Sequence, residues 1–149
     1  METSHTRDAL PTVSRLCDGE IIELVYDRSN RTTALAIAAG DGWKVVERHV
    51  TAAGETLIPY APTNNLITHS CVLLPSKPAP SRGKVRLLAD IEAYLHRYVD
   101  FSPLFEKIAA HYVLLSWVHD AFQEIPMLRV RGAFGAGKTR ALIALGSIA

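Results

Sequence analysis

The sequence predicts an α+β chain: a small antiparallel β-rich module first, then a two-helix segment, and last a strand, a glycine loop and a helix that open an α/β fold without completing it. Three observations carry this. Turn-punctuated runs of β-branched and aromatic residues fill 15–74, and apolar residues recur at helical spacing over 85–124. Finally, Gly132-Ala133-Phe134-Gly135-Ala136-Gly137-Lys138-Thr139 separates a short apolar run from a stretch of helix formers. With 48% hydrophobic content, the 149 residues can bury a core, and wholesale disorder is excluded.

Residues 1–14 are polar, with a proline at Pro11, and predict a mobile leader. Two β-capable runs, 20–26 and 32–38, flank Asp27-Arg28-Ser29-Asn30, so a hairpin is expected there. After the turn Ala39-Gly40-Asp41-Gly42, the run 43–50 reads as the next strand, and 56–58 and 66–74 as further ones. Pro75, Pro78, Pro80 and Gly83 then deny helix to 75–84, which predicts an exposed linker and a boundary.

Beyond the linker, Val85, Leu87, Leu88, Ile91, Tyr94, Leu95 and Tyr98 fall on one stripe and predict an amphipathic helix over 85–99, its tyrosines in the core. Ser102-Pro103 supplies an N-cap and a first-turn proline for a second helix over 102–122. Its apolar residues, from Leu104 to Phe122, cover more than one face, so burial between layers is expected.

The last segment, 125–149, carries the chemistry. Residues 125–131 read as the buried first strand of a parallel sheet, with Pro126 at its entry. The G-x-x-x-x-G-K-T run that follows is a phosphate-cradling pattern: glycines let backbone N–H groups approach phosphate oxygens, the lysine reaches the β- and γ-phosphates, and the threonine hydroxyl ligates Mg²⁺. The dipole and free N–H groups of a helix starting near Lys138 add to such an anion site. The residues assigned to the nucleotide are Gly132, Gly135, Ala136, Gly137, Lys138, Thr139 and Arg140, with Thr139 also on the metal.

Cys17 and Cys71 lie far apart and read as reduced thiols, the six histidines are dispersed, and His119, Asp120 and Glu124 read as the solvated end of a helix. No apolar run approaches the length of a bilayer span and the first residues lack a signal-peptide core, so no membrane association and a cytoplasmic location are expected. Residues 1–74 hold six Lys/Arg against nine Asp/Glu, net −3, whereas 75–149 hold ten against six, net +4; the basic excess travels with the glycine loop.

Tyr112-Val113-Leu114-Leu115-Ser116-Trp117-Val118, followed by 125–132 and by Gly135-Ala136-Gly137-Lys138-Thr139-Arg140-Ala141-Leu142, resembles the entry to P-loop ATPases of the helicase or primase-helicase type carried by phages and other mobile elements. The resemblance covers about the last forty residues. It implies ATP and Mg²⁺ as cofactors, ATP-driven work on DNA, a role in replication, and an oligomer. Ala149 falls one helix beyond the loop, before any Walker B strand, so the expectation is an N-terminal fragment of such an ATPase, with the fold of a truncated P-loop NTPase and no activity on its own. The alternative is a non-catalytic interaction module whose β-rich part is the functional one.

Overall fold

In a computed structural model, which describes residues 9–40, 42–80 and 82–149, seven strands precede four α-helices, so the class is mixed α+β. The chain falls into two units, Met1–Pro80 and Ser81–Ala149. Among the described residues no helix is long and apolar enough to cross a membrane.

In the first unit the longest β pairing is the hairpin of β3 (Glu20–Asp27) and β4 (Thr32–Ala39). The strands β2 (Ser14–Cys17) and β5 (Gly42–Val46) flank it, giving the antiparallel order β2-β3-β4-β5. Strand β3 is buried on both faces: Ile22 and Leu24 point to one side, Glu23 and Val25 to the other, and all four are buried. A buried carboxylate needs a donor. Ser14, opposite Glu23 in register, donates its hydroxyl hydrogen to Glu23 Oε1 at 2.7 Å.

A second sheet has the order β1-β7-β6, built from β1 (Leu10–Thr12), β6 (His49–Val50) and β7 (Thr56–Pro59). Leu57 on β7 joins Ile22, Leu35 and Ile37 of the first sheet in one core, with Cys17 and Val46 packed against it. Three sequence expectations are corrected here. The β-rich part is not wholly antiparallel, because β1 pairs parallel to β7. For the same reason the leader does not run to residue 14: 10–12 are strand and 1–8 lie outside the described residues. Pro11 is tolerated because β1 is an edge strand, where a missing N–H breaks no ladder. The run 43–50 is two strands rather than one, parting at Glu47-Arg48 so that His49 enters the other sheet. Glu20 spans the join, with Oε2 3.2 Å from His49 Nε2 and Oε1 3.7 Å from Lys44 Nζ.

The β3–β4 turn is closed by Asp27, whose carboxylate accepts from Asn30 Nδ2 at 2.7 Å, Ser29 N at 2.8 Å and Asn30 N at 3.2 Å. These donors, the Asn30 side chain foremost, hold the Asp27 carboxyl below its ordinary 3.8. A depressed folded value means stability that is present above 3.8 and lost as pH falls through the folded value. Asp27→Asn is therefore expected to lower the thermal midpoint slightly at neutral pH, and the gap to the wild type to close in acid. A gap that stays constant down the pH series would show that the carboxylate's charge is irrelevant to the turn.

The expected strand over 66–74 is replaced by α1 (Asn65–Thr68) and coil. Asn64 caps the helix by accepting from Leu66 N at 2.9 Å, and of its four residues only Ile67 is buried. A local cap competes with a strand that has no partner to pair with. The chain then returns to β3, where Tyr26 N donates to the Pro75 carbonyl at 2.9 Å, so the first residue of the expected linker is tied to a strand edge. Lys77 precedes a proline and resists trypsin, whereas Arg82 and Gly83, at the start of the second unit, are exposed. Limited trypsin digestion is expected to cut first at Arg82, and early cuts elsewhere with Arg82 spared would show that this stretch is protected.

The second unit is helical. Ile91 and Leu95 of α2 (Lys84–Tyr98), Ala109, Ala110 and Val113 of α3 (Pro103–Ser116), and Ala144 and Leu145 of α4 (Lys138–Gly146) make its core. Alanines on α3 allow close helix approach, and two polar bonds fasten the end of α4: Tyr94 Oη to Ser147 Oγ at 2.7 Å, and Trp117 Nε1 to the Ile148 carbonyl at 2.9 Å. The α2 stripe is narrower than expected, since Val85, Leu87 and Tyr98 are exposed. Helix α3 is capped by Ser102 as expected but ends at Ser116, not 122, and is buried on one face only, with Leu104 and Ile108 exposed. Its last carbonyls are taken locally, Val113 O by the Ser116 hydroxyl at 2.7 Å and Ser116 O facing His119 Nδ1 at 3.1 Å, so the helix has a polar stop.

Candidate functional site

The glycine loop owes its position to one anchor. Leu128 packs against the helical core while Met127 and Arg129 on either side of it are exposed, so one side chain ties the approach to the loop to the helices. The expected strand over 125–131 is absent: among the described residues no neighbouring strand is there to pair with it, and a run without a ladder is not a strand.

From Gly132 the chain folds back on itself. Ala136 N donates to Ala133 O at 3.2 Å, and Gly135 (φ 80°) and Gly137 (φ 77°) take left-handed conformations that side chains resist. Gly132 is needed for space: a Cβ there would lie 2.9 Å from the Ala136 Cβ. Gly137 caps α4, whose first backbone bond is Ala141 N–H to Gly137 O at 3.0 Å. The N–H groups of Gly137, Lys138, Thr139 and Arg140 come before that bond and have no carbonyl within the helix to meet. Lys138 reaches across the turn, its Nζ donating to Gly132 O at 2.9 Å and Ala133 O at 2.7 Å. An ammonium has three donors, so one remains.

Of the residues assigned from sequence, Gly132, Gly135, Ala136, Gly137 and Lys138 are gathered about this turn. Thr139 and Arg140 lie exposed on the first turn of α4, and among the described residues no side-chain hydrogen bond ties either to the loop. Phe134 at the tip is fully exposed. Chemically, the arrangement offers a positive helix end, free N–H groups and one ammonium to an anion. A divalent cation is a different matter, since among the described residues no group of three or more His, Cys, Asp or Glu could hold one.

Beside the loop lies an open cavity of about 260 Å³. Arg131 and Lys138 line it on the loop side, and Asp100, Phe101, Ser102 and Phe105 on the side of the α2–α3 connection. Sequence reasoning missed Asp100, Phe101 and Phe105 as site residues. Their only local signal is the Ser102-Pro103 helix start, and the fold alone brings them to a loop thirty residues later. Comparison of the chain with family models, with curated proteins and with solved structures finds no match.

Proposed function

We propose that the loop 132–139 holds the phosphates of a nucleoside triphosphate, ATP by the resemblance, and that the chain is the N-terminal part of a helicase-like ATPase that works on DNA. The observation that supports this most is that the Lys138 ammonium and the start of α4, whose first N–H groups have no partner among the described residues, belong to one exposed turn. An anion could take the third Lys138 donor and the Gly137–Arg140 amides together.

Mg²⁺ would come with the phosphates rather than sit in a protein cage, since magnesium keeps several waters and needs few protein ligands. Thr139, on the first turn of α4, would supply a hydroxyl to its shell. Bound there, the metal would neutralise charge on the phosphates. The net charge of +4 on residues 75–149, ten Lys/Arg against six Asp/Glu, favours weak, salt-sensitive contact with DNA phosphates, and oligomerisation belongs to the same reading.

The test is equilibrium titration of the purified chain with ATP and Mg²⁺ beside Lys138→Ala. Loss of charge-assisted bonds is expected to weaken binding roughly tenfold to a hundredfold. Equal affinity of the two proteins, or no binding by either, would remove the loop from the account of function.

A further inference from the structure

The cavity beside the loop has a composition that phosphate binding does not explain. Its wall includes a carboxylate, Asp100, which would repel a phosphate placed inside. Among the described residues, neither the Asp100 carboxylate nor the Arg131 guanidinium has an ion-pair or side-chain hydrogen-bond partner, although both line the same space. Two aromatic rings complete the wall, Phe101 and Phe105, packed edge to face with centroids 4.9 Å apart and planes at 62°.

From the loop outward the cavity therefore passes from cationic to acidic and aromatic. At about 260 Å³ it falls just short of the roughly 300–1,000 Å³ that drug-sized ligands occupy, room for a nucleoside but not for a triphosphate with it. We propose that this cavity is the nucleoside subsite: the phosphates stay on the exposed loop and the base and sugar enter, the base against Phe101 and Phe105 and a sugar hydroxyl or base N–H donating to Asp100. Aromatic faces accept any base, and a carboxylate accepts only donors. Asp100 is thus the residue that distinguishes a nucleoside triphosphate from a bare polyphosphate.

This inference rests on the phosphate reading of the loop, and the experiment separates the two. Dissociation constants for ATP and for inorganic tripolyphosphate are measured on the full chain, on Asp100→Ala and on Lys138→Ala. Asp100 is exposed on the connection between two helices, so its variant is expected to fold, and an unchanged thermal midpoint verifies it; Asp100→Asn, which keeps the shape but loses the charge, is the second variant. The expected result is that Asp100→Ala weakens ATP roughly tenfold. Tripolyphosphate should bind that variant as well as the wild type or more tightly, because a nearby negative charge has gone. Lys138→Ala should weaken both ligands. If Asp100→Ala and Asp100→Asn shift ATP and tripolyphosphate alike, or shift neither, while Lys138→Ala weakens both, the nucleoside subsite is overturned and the loop reading stands. If neither ligand binds the wild type, both fall.

Discussion

Leu95→Ala is expected to destabilise residues 81–149 by about 2–5 kcal/mol, the usual cost of deleting a buried leucine together with the cavity it leaves. Leu95 is fully buried and shares one core with Ala109, Ala110, Val113, Ala144 and Leu145, which lie on two other helices. Four of those five are alanine or valine, short side chains that by themselves fill little of the gap. A unit this small shifts its midpoint by roughly 4–8 °C for each kcal/mol, so a fall of about 10 °C or more is expected in the helical signal. Val85→Ala is the control on the same helix, because Val85 is 85% exposed and should change stability by no more than about 0.5 kcal/mol. Equal midpoints for the two variants would mean that α2 is not held by this core.

The same contrast, between residues that decide locally and residues that need a partner, explains what was legible in the sequence. The β3–β4 hairpin and the Ser102 cap were readable because Asp27, Asn30, Ser102 and Pro103 act on backbone within three residues of themselves. A comparable signal was overlooked at Asp18-Gly19, where both residues have positive φ (55° and 75°) in the two-residue turn from β2 to β3. That pair marks a strand at 14–17, which begins on the last residue of the expected leader and opens the β-rich module. The runs 66–74 and 125–131 misled for the opposite reason. Their apolar residues suit strands, but a strand exists only if another lies beside it, and neither run has one among the described residues. At the candidate site, the loop's glycines and lysine could be read in order, as their spacing is their chemistry. Asp100 and the two phenylalanines could not, because what makes them part of a cavity is the packing of α3 against α2 and α4.

Lys138→Ala is expected to leave ATP turnover where it already stands in the wild type, at background, even though it weakens binding. Phosphoryl transfer depends almost wholly on positioning and on charge placed where the transition state needs it. Here the Lys138 ammonium already donates to two loop carbonyls, so only one of its hydrogens is free to act on a γ-phosphate. The segment leading into the loop is anchored by Leu128 without a sheet, whereas catalytic groups must be held to within about 0.5 Å. Each of these weakens catalysis more than binding, since an anion tolerates a loose cradle and a transition state does not. Release of inorganic phosphate by the purified chain, measured beside Lys138→Ala, decides the matter. A rate well above background that vanishes in the variant would show that these 149 residues, or two copies of them, supply the acidic and positioning groups themselves, and the reading of the chain as one part of a larger ATPase would be abandoned.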